Sequence, residues 1–536
     1  MESIVSEPVV VDPAPVRSDR SRQLTASLTK RAGTIAQRPW AVPAWIGGLL
    51  VLSTLMRLRG IHFHYWIDEG ISVGIASHPL SQIPGLLRQD GAPPLWYALL
   101  HVWMSLFGTR PVATHTLSLI FAQLTIPAGW WAARPLGRRA AVFASLLLAG
   151  VPYLTAYAEE TRMYSLMVLL GLLLAGAFLR AFVERRRGWM PAFVLALTAA
   201  MYTHNWGLFL AVASAAGIVA CLWLTPVSER RALLRDGIIT LGATFILYLP
   251  WLPTTLFQAA HTGAPWAVRT TLWTWTQGLY FIGGGRDVVA VLFVAGIAGL
   301  ISTFRASSVH SAFRREVIVL ALLVWVTFAA GWVLGKLDPS FSSRYEAAIV
   351  GPLALIVALA LSRSGRIAVL AVALCCTWWV LDPRTAQLSA KSNVAAVAAA
   401  AGSSLNSQSL VLSTQPEQVP TLHYYMPQVQ RFATPVGFPG HDYAVNWVNL
   451  LGRMENPATG HELHRLLATV APGQTVGIVI PIGLSSVTTY LRLVNHFSTT
   501  WWHFLEHDPD FTQVLSTRRS WSTSGNPVEL AVYRRR

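Results

Sequence analysis

Residues 93–108 read PPLWYALLHVWMSLFG, and the way this stretch lies decides the topology of everything after it. It is apolar enough to enter a bilayer, but with two leading prolines and a closing glycine its helical part falls short of the roughly 20 residues that cross one. Later apolar runs of membrane length fall near 112–133, 140–157, 163–183, 189–203, 205–224, 237–251, 288–303, 317–335, 346–362 and 367–382, and one run precedes it at 41–56. Counting 93–108 as a span would reverse the orientation of every later loop. With it flat on the outer surface as an interfacial helix, the loops carrying Arg134 to Arg139, Arg185 to Arg187, Arg230 to Arg235, Arg305 to Arg315 and Arg363 to Arg366 all face one side. Their density of basic residues is then several times that of the opposite side, as cytoplasmic loops require. The interfacial reading predicts about eleven spans.

Composition agrees. Of 536 residues 53% are hydrophobic and only 12% charged, where soluble proteins carry roughly a quarter charged residues. A mean hydropathy of +0.46 over this length exceeds what one water-soluble core can hide. The net charge of +16 would suit a nucleic-acid binder only with a solvated basic face or a recognisable module, and the arginines instead punctuate apolar runs. Cys221, Cys375 and Cys376 all lie inside apolar runs and read as small apolar residues, neither a disulfide framework nor a metal site. Residues 1–40, rich in Ser, Pro and Arg, read as a disordered cytoplasmic tail. No cleavable signal is read ahead of the first run, which acts as an uncleaved anchor.

This topology places outside the first loop 57–111, turns at 158–162 and near 204, the Trp-rich 252–286 and 336–345. Beyond 41–382, the segment 383–536 is also outside. Its hydrophobicity drops, and strand-like runs at Leu410 to Ser413, Gln430 to Ala433, Val476 to Ile480, Phe511 to Ser516 and Val528 to Val532 alternate with helical stretches at 388–401 and 487–505. The pattern predicts a small extracytoplasmic α/β domain. The fold class is therefore an α-helical polytopic membrane protein with a C-terminal α/β domain.

The outer loops gather polar residues that solubility alone does not need. Asp68 and Glu69 stand side by side soon after the first span, among Trp66, Tyr65, His62 and His64. A solvated acidic turn is the plainer account of such a pair; an acid walled by aromatics and lipid would instead hold a proton more tightly, as a general base must for one step. Other outer loops contribute Glu159, Glu160, Arg162 and Tyr164, then Tyr202, His204 and Asn205, then Lys336, Asp338, Arg344 and Tyr345. Singly these are interfacial anchors; together, cations opposite a carboxylate fit a phosphate-bearing lipid. The Gly283 to Gly285 run reads as a flexible outer loop, and the scattered histidines lack metal-site spacing, so no metal is assigned. A transporter or flippase would place ionisable residues near the bilayer midplane and show an internal repeat, and neither stands out.

The runs HYWIDEGISVGIA (His64 to Ala76), GAPPLWYALLHVW (Gly91 to Trp103), EETRMYSL (Glu159 to Leu166), MYTHNWGLFL (Met201 to Leu210) and SSRYEAAIVGPLALI (Ser342 to Ile356) follow in this order, and over roughly 41–382 the chain resembles the GT-C glycosyltransferases. It looks most like the branch related to protein O-mannosyltransferases and lipid A aminoarabinose transferases. The resemblance implies a membrane enzyme that moves a sugar from a polyprenyl-phosphate donor to a glycolipid, polysaccharide or protein acceptor on the outer face, with inversion. The Arg-, Ala- and Trp-rich usage suits a cell-envelope enzyme, for which mannose is the expected donor sugar and arabinofuranose the alternative; no nucleic acid is expected, and divalent-metal dependence stays open. Carried over by position, Asp68 and Glu69 are the catalytic acids, with Asp68 as base, while Arg162, Tyr164, His204, Arg344 and Tyr345 hold the donor. Lys336 joins them as a further cation for the leaving phosphate. Many relatives read HPPL where this chain has Ala92-Pro93-Pro94-Leu95, so that position lacks the histidine.

Overall fold

The computed structural model describes residues 38–305, 311–382, 391–441, 443–517 and 526–536. The expected cytoplasmic tail lies, up to residue 37, outside them, as does the expected boundary at 383. A helix occupies each predicted apolar stretch: Ala41–Arg57, Pro111–Ala133, Arg138–Gly150 followed by Pro152–Ala158, Tyr164–Phe178, Met190–Thr203, Trp206–Trp223, Val227–Tyr248, Arg286–Arg305, Ser311–Leu337, Ala347–Ser362 and Arg366–Leu381. Among the described residues, four helical segments are each long and apolar enough to cross a membrane, and three bent pairs raise the number to seven.

Leu95–Phe107 forms the decisive short helix. At about 1.5 Å per residue it is about 20 Å long, short of the ~30 Å hydrocarbon layer. It is also two-faced: Trp96, Tyr97, Leu100 and Met104 are buried, whereas Leu99, Val102, Leu106 and Phe107 are exposed.

Tyr164–Phe178 is buried along nearly its whole length and packs against Pro111–Ala133, Met190–Thr203 and Ala347–Ser362. Glycines allow the approach: a Cβ on Gly176 would lie 2.9 Å from the Ala132 backbone, and one on Gly351 would lie 2.7 Å from the Leu172 amide. Small residues at crossings are how helices pack closely where lipid removes the hydrophobic drive.

The stretch 252–286 is more ordered than a connecting loop, since it holds helices Leu252–His261 and Leu272–Gly283. The Gly283 to Gly285 run is likewise a corner and not a flexible loop. Gly284 takes the left-handed conformation (φ 85°) that caps the helix, and the chain turns 90° into the next one. The Trp379 indole N–H donates to the Gly283 carbonyl at 2.9 Å and fixes the corner.

The C-terminal segment carries a five-stranded mixed sheet of β1 (Leu410–Ser413), β2 (Arg431–Ala433), β3 (Thr475–Pro481), β4 (Phe511–Ser516) and β5 (Val528–Arg535), in the order β2-β1-β3-β5-β4. β1 runs parallel to β2 and β3, while β5 is antiparallel to β3 and β4. Helix Thr489–His507 covers one face through Tyr490, Val494, Phe497, Trp501 and Leu505, an apolar stripe at helical spacing. Val394–Ala401 and Val419–Tyr425 contribute to a second apolar cluster with β1, β3 and β5.

This domain sits directly on the segment between helices Ala41–Arg57 and Pro111–Ala133. Helix Val419–Tyr425 packs against Ile67–Ala76 with no room for side chains between them: a Cβ on Gly70 would meet Thr421 Oγ1 at 2.2 Å, and one on Gly74 the Tyr443 carbonyl at 1.9 Å. The Tyr65 amide donates to the Tyr425 hydroxyl (2.7 Å), the Trp447 amide to the Gln89 carbonyl (3.0 Å) and the Asn449 amide to the His261 carbonyl (2.9 Å).

Candidate active site

Trp66 is extended and the helix Ile67–Ala76 starts immediately after it, so Asp68 and Glu69 fall in its first turn, where the helix dipole favours acids. Consecutive helical residues point about 100° apart. The two carboxylates therefore serve different surroundings.

Asp68 faces a cavity of about 360 Å³ whose lining includes Asp90, Arg162, His204, Asn205, Trp266, Arg344, Tyr345 and Trp447. Its Oδ2 lies 2.8 Å from Arg344 Nη1. Arg344 stands on the short turn Ser343–Glu346 before helix Ala347–Ser362, and the Tyr153 hydroxyl donates to its backbone carbonyl. Its guanidinium lies 5.7 Å from the Trp66 ring centre, 4.9 Å from Trp266 and 5.7 Å from Tyr345. Arg162 reaches the same corner from the 158–162 turn, donating from Nη1 to Ser72 Oγ (3.0 Å) and to the Asp68 carbonyl (3.3 Å). The Nε–H groups of both arginines are buried without a hydrogen-bond partner among the described residues. Two rigid guanidiniums around one carboxylate leave a positive site suited to an anion.

His204 sits between two helix ends. Its Nδ1 accepts the Trp206 amide N–H at 3.1 Å, so the proton of the neutral ring is on Nε2. Burial lowers this imidazole to about 3, with Arg162 and Arg344 adding to the effect, and it is a neutral hydrogen-bond donor at physiological pH.

Glu69 points instead into a buried polar cluster behind the cavity. Its Oε1 lies 2.6 Å from His115 Nε2 and accepts the Thr161 amide at 2.7 Å, and its Oε2 is 3.6 Å from Lys391 Nζ. Burial would raise this carboxyl, but Lys391, His115 and the Thr161 amide outweigh it and hold it below the ordinary range. Lys391 also donates to the Glu159 carbonyl at 2.7 Å. Burial raises Glu159 and Glu160 to about 7 against the opposing charge of Lys391. The Glu69 carboxylate thus ties the helix that presents Asp68 to the turn that presents Arg162.

Of the residues singled out in the sequence, the structure brings Asp68, Arg162, His204, Asn205, Asp338, Arg344 and Tyr345 to one cavity. The Tyr164 ring is buried beside it, 6.1 Å from His204 and under the Arg162 guanidinium. Glu69 is outside the lining. Lys336, in the last turn of Ser311–Leu337, is exposed and away from the lining, which Asp338 and Ser340 join in its place. Asp90, Trp266 and Trp447 line the cavity without having been singled out. Asp90 ends a helix just before the quoted GAPPL run, and its nearness to that motif was the available signal. Asp68, Asp90 and Asp338 are the acids of the lining, and among the described residues no three His, Cys, Asp or Glu side chains converge to hold a metal.

No protein-family model matches the chain, and no curated protein matches its sequence. Solved structures do match in fold. ArnT from Cupriavidus metallidurans, bound to undecaprenyl phosphate, superposes with a TM-score of 0.58 at 14% identity, over 92% of this chain and 98% of that one. The Archaeoglobus fulgidus oligosaccharyltransferase matches with a TM-score of 0.50 at 14% identity, over 81% of this chain and 67% of that one. The arabinofuranosyltransferase AftD from Mycobacteria matches with a TM-score of 0.50 at 15% identity, over 93% of this chain and 40% of that one. Together with the helix arrangement described above, these matches show that the chain has the GT-C fold.

Proposed function

We propose that this chain is a membrane glycosyltransferase that transfers a sugar, mannose in the first instance, from a polyprenyl-phosphate carrier to an acceptor hydroxyl. The observation that carries the reading is the meeting of Asp68, Arg344 and Arg162 in one cavity. It is supported by the shared fold with a protein solved with undecaprenyl phosphate bound.

In this mechanism the donor phosphate enters against Arg162 and Arg344, and in taking Arg344 it loosens that residue's ion pair with Asp68. The Asp68 carboxylate then accepts the proton of the acceptor hydroxyl as its oxygen attacks the anomeric carbon. The bond from that carbon to the phosphate oxygen breaks on the opposite face, so the sugar inverts and polyprenyl phosphate leaves with the electron pair. General-base assistance typically supplies about 10²–10⁴ in rate, and fixed cations aimed at the leaving phosphate contribute as much or more. His204 adds a neutral N–H donor to the same cavity.

The test is transfer by purified full-length protein from a panel of polyprenyl-phosphate sugars, with mannose and arabinofuranose among them. Turnover of one supports the reading and names the sugar. Binding of an intact lipid-linked sugar with transfer from none would replace it with a carrier function.

The topology belongs to the same proposal: about eleven crossings, the N-terminus in the cytoplasm, and the cavity and C-terminal domain outside. Thr109 follows the short helix and is exposed. In a background with Cys221, Cys375 and Cys376 replaced, Thr109→Cys is expected to react with a membrane-impermeant maleimide in intact cells. Protection until the cells are opened would invert the assignment.

A further inference from the structure

The C-terminal domain contributes to the cavity as well as resting on it. Trp447 belongs to this domain, is nearly buried, and lines the same cavity as Asp68. Its indole packs 6.3 Å from the Tyr490 ring, and Tyr490 is in turn hydrogen-bonded to Glu417. Beside it stands Asp90. The Tyr97 hydroxyl reaches Asp90 Oδ2 at 3.4 Å, and the nearby Trp447 indole favours the charged form of this carboxyl. Burial raises Asp90 to about 6 against the pull of Arg162, the strongest opposing charge it feels.

The wall that carries Asp90 is tied down by four hydrogen bonds from three residues. Asn205 donates to the Gly91 carbonyl (3.0 Å), Gln258 to the Leu87 carbonyl (2.8 Å) and to that of Ala92 (3.3 Å), and the Trp447 amide to the Gln89 carbonyl. Gly91 holds a left-handed φ of 99°, which caps the helix and turns the chain so that Asp90, Gly91, Ala92 and Pro93 all line the cavity. A carboxylate on a wall fixed this firmly, with a tryptophan in the same lining and Arg162 and Arg344 in the same cavity, has the chemistry of a sugar site. The ring's C–H face packs on the indole, and hydroxyls donate to the carboxylate.

We propose that Asp90 and Trp447 form the subsite for the sugar ring of the donor, so that the C-terminal domain takes part in choosing the sugar. This rests on the glycosyltransferase reading and deepens it. The donor's sugar is preferred over the acceptor's because Asp90 lies within the field of Arg162, where the phosphate that bears that sugar would be held.

The experiment compares binding of two probes to purified full-length protein: polyprenyl phosphate alone and polyprenyl-phosphate mannose. In the wild type the sugar-bearing lipid binds more tightly than the bare one. Asp90→Asn and Trp447→Leu are each expected to erase about tenfold of that difference, the weight of one hydrogen bond to a charged group or one lost stacking face, while binding of bare polyprenyl phosphate stays within about twofold. Trp447→Phe, which keeps an aromatic face and the docking of the domain, is expected to retain part of the difference. The proposal is overturned if the variants keep the full difference, if they lose bare-lipid binding to the same degree, or if only the KM for acceptor moves. A wild type that binds neither lipid would instead remove the glycosyltransferase reading itself, which separates the two failures.

Discussion

Asp68→Asn is expected to lower sugar transfer by the purified protein about 10²–10⁴-fold while leaving the protein folded and able to bind polyprenyl phosphate. The substitution is nearly isosteric and keeps a polar group in the first turn of Ile67–Ala76. It removes the basic lone pair that receives the acceptor's proton and the negative charge that holds Arg344 at 2.8 Å. With that charge gone, the guanidinium is released to the donor phosphate, so donor binding should hold or tighten as turnover falls. A structural lesion would lower both. Near-normal turnover in Asp68→Asn would take the residue out of the chemistry, and loss of lipid binding would make its role one of organisation.

The same helix shows what a sequence can and cannot reveal. The carboxylate pair was legible as a pair because two adjacent acids follow the first apolar run among Trp66 and Tyr65 and fall in the HYWIDEGISVGIA run that carries the resemblance, although a solvated turn was the plainer reading of the acids alone. That they divide, Asp68 to the cavity and Glu69 to His115, Thr161 and Lys391, depends on which way the first turn faces once the helix docks. No local pattern states that rotation. Arg162, His204, Arg344 and Tyr345 were legible because each sits at a break between long apolar runs, where the chain must leave the bilayer. Lys336 obeys the same rule and still faces away, since it stands two residues, about 200° of helical rotation, beyond Leu334, which lines the cavity. The five strands of the C-terminal sheet stood out by composition, whereas its docking did not. Gly70 and Gly74 mark the contact only after Thr421 and Tyr443 are seen against them, from more than 300 residues along the chain. Trp447 was hidden for the same reason, being one of 22 tryptophans until its place in the cavity was known.

Arg344→Ala is expected to weaken polyprenyl-phosphate binding and to lower turnover by about 10²–10³, the usual order for removing one preorganised donor from a developing negative charge. Arg344→Lys restores charge but neither the bidentate fork nor the stacking against Trp66, Trp266 and Tyr345, so it should recover only part of the loss. The more searching measurement sets this variant against Asp68→Asn. In the wild type the phosphate must compete with Asp68 for the guanidinium, and part of the binding energy is spent separating the pair. In the Asp68→Asn background no such competition exists. Removing Arg344 should therefore cost more donor affinity there than in the wild type, a non-additivity expected of groups that share one partner. Equal costs in the two backgrounds would show that Asp68 and the phosphate do not contend for Arg344, and the ion pair would then be a fixture of the fold and not a gate that the donor opens.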